Sequence, residues 1–132
     1  MKSDDDIFKI YSELINIAEN LNPDDIIKEE SNTPKGYKFK SRTRKGKYRR
    51  KFFLYILLPN KQNRVEVRLD TGKYNNVIDK KRITTRFPYD WHHIKKKIVV
   101  TPEDINSGKK TYDDIEDLIN QCYRFLNLKK SF

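Results

Sequence analysis

The stretch that decides the fold is Phe52-Phe53-Leu54-Tyr55-Ile56-Leu57-Leu58, followed by Pro59-Asn60-Lys61-Gln62-Asn63 and then Arg64-Val65-Glu66-Val67-Arg68-Leu69-Asp70. The first seven residues are apolar at every position, as in a central strand covered on both faces. The next five supply turn residues. The last seven alternate, with Val65, Val67 and Leu69 opposite Arg64, Glu66, Arg68 and Asp70, as in a strand with one wet face. Upstream, Tyr37 to Thr43 alternates in the same way, setting Lys38, Lys40 and Arg42 against Tyr37, Phe39 and Ser41. Lys45-Gly46-Lys47 is the natural turn between that strand and the apolar one. Three antiparallel strands joined by short turns are the economical reading.

Helices flank these strands. Ser3 followed by Asp4, Asp5 and Asp6 reads as an N-cap with acids in the first turn, where the helix dipole favours them. Ile7, Ile10, Tyr11, Leu14, Ile17, Ala18 and Leu21 then recur at three- and four-residue intervals, one apolar stripe that ends at Asn22-Pro23. Near the other end Thr111 and Asp114 resemble a capping box. Ile115, Leu118, Ile119, Cys122, Phe125 and Leu126 mark a second stripe, closed by Lys129 and Lys130. Residues 71–94 carry loop signals (Gly72, Asn75-Asn76, Pro88), with a short helix or strand between Val77 and Phe87, and Lys97 to Thr101 adds a further strand. Each helix must bury its stripe, and the sheet is the only large apolar surface available. The expected fold is α+β: an antiparallel sheet of three to five strands with an N-terminal and a C-terminal helix on one face. The other face then carries Lys38, Lys40, Arg42, Arg64 and Arg68.

The chain has 132 residues, the size of a single domain spanning 1–132. The longest uncharged apolar run, Phe52 to Leu58, has seven residues, against the ~20 of a membrane helix. Met1-Lys2-Ser3-Asp4-Asp5-Asp6 lacks the features of a signal peptide. One cysteine rules out an internal disulfide and a multi-cysteine zinc site. A cytoplasmic, intracellular domain without a membrane partner is expected. Cys122, inside a helical stripe, reads as a buried inert thiol.

The formal net charge of +10 averages unlike parts. Residues 1–30 carry −6, residues 31–100 carry +17, and residues 101–132 carry −1. Ten of the seventeen residues from Lys35 to Lys51 are basic, and no carboxylate lies between Glu30 and Glu66. A Lys-, Asn- and Ile-rich composition raises lysine by itself, but four of the nine arginines, Arg42, Arg44, Arg49 and Arg50, also fall here. Lysine and arginine neutralise phosphates, and arginine adds bidentate geometry and stacking. The candidate nucleic-acid-binding residues are therefore Lys38, Lys40, Arg42, Arg44, Lys45, Lys47, Tyr48, Arg49, Arg50 and Lys51, with Tyr48 able to stack on an unpaired base. Arg64, Arg68, His92, His93, Lys95, Lys96 and Lys97 form a secondary basic surface.

Catalytic patterns are weak. Adjacent His92 and His93 point apart in a strand and lack a third ligand at zinc spacing. Pro23-Asp24 with Glu66-Val67-Arg68 imitates a metal-dependent nuclease only poorly, because arginine stands where lysine is wanted. Asp4–Asp6 and Asp24–Asp25 read as cap and turn residues. No phosphate-binding glycine loop exists. No catalytic residue, metal or cofactor is assigned. The leading expectation is a non-enzymatic DNA- or RNA-binding domain. An inhibitor or accessory module docking on an acidic protein surface comes second, and a nuclease third.

The helix ending in Leu21-Asn22-Pro23, the strands through Phe53-Leu54-Tyr55-Ile56 and Val65-Glu66-Val67-Arg68, Trp91, and the closing Asp113-Asp114-Ile115-Glu116-Asp117-Leu118-Ile119-Asn120-Gln121-Cys122-Tyr123 helix together resemble a small uncharacterised domain family. That family is often labelled a predicted transport protein and occurs alone or attached to restriction-type and other DNA-related proteins. The resemblance implies an α+β fold and a setting near DNA metabolism or phage defence. It implies no catalytic residues, and the segment from Arg42 to Lys51 is more basic than the family pattern.

Overall fold

The computed structural model describes residues 4–32, 34–43, 52–59, 63–71, 77–89 and 93–128. In chain order these form α1 (Asp4–Glu19), β1 (Ile26–Asn32), β2 (Lys35–Ser41), β3 (Leu54–Leu58), β4 (Val65–Leu69), β5 (Thr85–Arg86), β6 (Lys96–Val100), α2 (Pro102–Ser107) and α3 (Tyr112–Leu128). The strands make one antiparallel sheet in the order β1-β2-β3-β4-β6-β5. The fold is α+β as the sequence predicts, with one strand more than the expected maximum and a short extra helix, α2. The Ser3 cap, the Lys45-Gly46-Lys47 turn, most of the Pro59–Asn63 turn and the closing Lys129 and Lys130 lie outside the described residues.

Directly paired residues share a face, and each strand alternates, so the register sorts the strand residues onto two faces. Phe39 pairs with Leu54 and Leu54 with Leu69; Ile56 pairs with Val67, and Val67 with Ile98. This face meets Ile7, Ile10, Tyr11, Leu14 and Ala18 of α1 and Ile115, Leu118, Ile119 and Cys122 of α3 in one core. Burying a Leu or Ile fully is worth about 1.5–3 kcal/mol, against about 0.2–1 kcal/mol for an exposed ion pair. The two stripes therefore decide where the helices sit. Cys122 is fully buried in that core, where burial and the nearby Asp70 carboxylate push its thiol well above the usual range.

Polar groups pin the periphery. Thr101 and Asp104 form a reciprocal capping box at the start of α2, and Gly108 closes that helix in the left-handed conformation that suits a residue without Cβ. At α3 the backbone N–H of Asp114 donates to Thr111 Oγ1 at 3.1 Å. The Gln121 side chain of α3 donates to the Ile78 carbonyl and accepts from the Ile78 N–H, at 3.0 and 2.8 Å. That pair fastens the segment leading into β5 onto the helix.

Asp25 is more than a turn residue. Its buried carboxylate accepts from Ser41 Oγ and Tyr123 Oη at 2.5 Å each and from the Thr43 N–H at 2.7 Å. One side chain thus joins the approach to β1, the end of β2 and α3. Burial alone would raise its pKa, but the bonds from Ser41, Tyr123 and Thr43 outweigh burial and leave it below the usual value. A depressed carboxyl stabilises the fold above its unfolded-state pKa, and that contribution disappears as pH falls through the folded value. Asp25→Asn is expected to cost on the order of 1–3 kcal/mol at pH 7. In urea titrations at several pH values, the gap between wild type and variant should narrow below about pH 4. A gap independent of pH would contradict the assignment.

Gly36 of β2 lies against β3. A Cβ built there would sit 2.3 Å from the Ile56 carbonyl oxygen and 2.8 Å from Leu57 Cα, both backbone atoms. Gly36→Ala must therefore push two central strands apart, and a loss of about 1–3 kcal/mol is expected in chemical denaturation.

Candidate nucleic-acid interface

The contacts of α1 with β1, β3 and β4, and of α1 with α2 and α3, place the helices on one side of the sheet. The opposite face follows from the register alone. Glu29 pairs with Lys38, Lys38 with Tyr55, Tyr55 with Arg68, Arg68 with Lys97, and Lys97 with Thr85. This is one transverse row crossing all six strands. A second row, Gly36–Leu57–Glu66–Val99, runs beside it. Leu57 and Glu66 are buried, so that part of the face is closed, whereas Lys38, Tyr55, Arg68 and Lys97 are half-buried along the first row.

Aromatic rings underlie the cations. Lys38 Nζ stands 4.6 Å and Lys40 Nζ 5.1 Å from the centre of the Phe52 ring. Phe52 is tilted against Tyr55 at 6.1 Å. Across the sheet the Arg68 guanidinium lies 4.8 Å over Phe87, and Tyr89 meets Phe87 edge-on at 5.7 Å. A cation over a ring is held by the ring's quadrupole. Burial raises the pKa of Tyr55, and the Arg68 charge partly opposes that rise, so the ring stays neutral at physiological pH.

Two carboxylates share this face. Glu29 pairs with Lys40 at 3.4 Å. Glu66 is clasped by Arg68 Nε at 2.7 Å and Arg64 Nη2 at 3.6 Å. The clasp orients Arg68 onto Phe87. It also consumes the acidic residue that sequence reasoning considered for a nuclease. Among the described residues no three His, Cys, Asp or Glu side chains gather as metal ligands.

The sequence-predicted residues separate into groups. Lys38, Lys40, Arg64, Arg68 and Lys97 come together on this face. Arg42 is exposed just beyond β2, with its backbone N–H on the Asp25 carbonyl at 2.7 Å. Arg44, Lys45, Lys47, Tyr48, Arg49, Arg50 and Lys51 lie outside the described residues, as do Trp91 and His92. His93 contacts the Phe52 carbonyl through Nε2 and so ties its turn to the start of β3. Lys95 is exposed outside β6.

Lys96 does not share the surface of Lys97. It pairs with Leu69 on the helical side and lines a cleft of about 330 Å³ with Thr71, Val77, Asp79, Arg82 and Thr84. The run Lys95 to Lys97 therefore cannot form one contact strip, because alternation sends neighbouring strand residues to opposite faces. Asp79 organises the cleft wall by accepting from the Ile83 and Thr84 N–H groups at 3.0 and 2.9 Å and from Thr84 Oγ1 at 2.6 Å. Burial would raise its pKa, but these bonds and one from the Arg82 backbone bring it below the usual value.

Sequence reasoning missed Phe52, Tyr55, Phe87 and Tyr89 as parts of the site. The signal for Tyr55 was faint: it is the one residue with a hydroxyl in an otherwise hydrocarbon strand. No family model, curated protein or solved structure matches the chain. The geometry therefore carries the functional reading. Among the described residues no helix is long and apolar enough to cross a membrane.

The Glu66 clasp makes a direct prediction. Glu66→Gln takes the carboxylate from Arg68 Nε, on a side chain only 12% exposed, and a loss on the order of 1–3 kcal/mol is expected. Glu66→Leu combined with Arg68→Met should recover much of it, because an apolar pair needs no compensation. Thermal unfolding of the two variants checks this; a double variant no more stable than Glu66→Gln would contradict it.

Proposed function

We propose that this protein is a nucleic-acid-binding domain whose contact surface is the sheet face opposite the helices. The observation that carries the reading is the transverse row in which Lys38, Arg68 and Lys97 flank Tyr55, with Phe52 and Phe87 beneath the cations. Such a surface offers phosphates several positive charges on a rigid sheet, and phosphate neutralisation with counterion release is the main sequence-independent source of affinity for nucleic acid. Contacts of this kind position a ligand without reading its sequence.

The basic segment 44–51 joins β2 to β3, the strands bearing Lys38 and Tyr55. Its arginines extend the same charge along the chain. The acidic residues lie mainly elsewhere: residues 1–30, which include α1, carry −6, so the potential is uneven and steers a polyanion toward the middle of the chain. The proposal assigns no catalytic role. A setting in DNA metabolism or phage defence belongs to the proposal on the sequence resemblance alone, which no family model matches.

The test is a gel shift titrated with salt against single- and double-stranded DNA and RNA. Each phosphate contact contributes about 0.7–0.9 to the slope of log affinity against log salt. Replacing Lys38, Lys40 and Lys97 with alanine is therefore expected to lower that slope by about 2 while leaving the circular dichroism spectrum unchanged. An unchanged slope overturns this surface. The absence of any shift at low salt overturns the function, in favour of an acidic protein partner.

A further inference from the structure

We infer that the ligand of this face is a single-stranded nucleic acid whose unpaired bases stack on Tyr89 and on the Phe52–Tyr55 pair. The inference rests on the proposed binding function and narrows it to one class of ligand.

Three observations point this way. First, Tyr89 is 71% exposed, the most exposed large hydrophobic side chain among the described residues. It does not dangle: its ring meets Phe87 edge-on with an interplanar angle of 71°. Phe87 in turn is buried, covered on one side by the Arg68 guanidinium, and its N–H donates to the Lys95 carbonyl at 2.9 Å. An exposed ring on a fixed support is a stacking platform, and one that loses little freedom when a base settles on it.

Second, aromatics and cations are interleaved across the face. Phe52 and Tyr55 stand at the Lys38 end of the row, while Phe87 and Tyr89 stand near the Arg68 and Lys97 end. Lys38 and Lys97 lie three strand spacings apart, about 14 Å. A strand crossing the sheet along this row meets Lys38, then Tyr55, then Arg68 and Lys97, with Phe87 and Tyr89 beside Arg68. Interleaved aromatics and cations are what a flexible strand with splayed bases requires.

Third, the shape fits a duplex poorly. A duplex keeps its base faces inside the stack, so Tyr89 would have nothing to stack on. Tyr89 was not among the candidates read from the sequence, because it follows Pro88 in the stretch with no clear periodicity.

Fluorescence polarisation with labelled oligo-dT, oligo-U and a mixed-sequence duplex of equal length, at one low salt concentration, tests the inference. Wild type should bind at least one single strand more tightly than the duplex, and the two single strands distinguish DNA from RNA. Tyr89→Ala should weaken single-strand binding by about 5- to 140-fold, the range for losing one stacked base. It should leave duplex binding and the melting temperature unchanged, and Tyr89→Phe should retain wild-type affinity. Equal affinity for single strand and duplex, or an equal loss on both with Tyr89→Ala, overturns the inference while the binding function stands. No binding to any of the three overturns the binding function itself.

Discussion

Two amphipathic helices have one apolar stripe each, and both bury it against the same face of one sheet. The rest of the architecture depends on that one-sidedness. A helix pair divided between the faces would have made a three-layer domain with no sheet surface available for a ligand. Here Leu14 and Ile119 share one core with Phe39, Ile56 and Val67, and the alternate residues of the same strands, Lys38, Tyr55 and Arg68, lie on the opposite face. Core and candidate interface are two faces of one alternation.

The polar residues that hold the molecule together lie around the rim of that core. Asp25 gathers β2 and α3 at one place, and Gln121 and Asp79 fix the segment before β5 at another. Glu66 differs because it is buried on the face opposite the helices, where its partners are arginines. Its carboxylate already engages Arg64 and Arg68. In the proposed binding mode the half-buried Lys38 and Lys97, which carry no such carboxylate clasp, are better placed for a phosphate than the arginines.

Elements with a clean period were legible in the sequence. The stripes of α1 and α3 and the alternation of β2 and β4 place those elements within two or three residues of their observed ends. β1 was not legible, because Ile26-Ile27-Lys28-Glu29-Glu30-Ser31-Asn32 does not alternate. It is an edge strand, with Lys28 on the helical side bonded to Glu19 at 2.5 Å and Glu29 on the other side. Charge on both faces removes the signal that periodicity needs. α2 and β5 are six and two residues long, shorter than the windows in which a period can be recognised. The Thr-x-x-Asp pattern occurs at both Thr101 and Thr111, but only the second precedes a helix long enough to show a stripe. For the interface, alternation exposed the lysines but could not bring Phe52, Phe87 and Tyr89 beside them. Those rings come from strand ends and a proline-containing turn, and only the register of β3, β4, β6 and β5 assembles them.

Gly36 bears on this assembly in a way its effect on stability does not express. Shifting β2 by one residue along β3 would bring the Cβ of Lys35 or Tyr37 to the place where only a hydrogen fits against Ile56 and Leu57. It would also turn Lys38 and Lys40 toward the helices and Phe39 toward solvent. The missing side chain thus serves as an index mark between two strands. It excludes the misaligned sheet, and with it the version of this molecule whose cations face the wrong way.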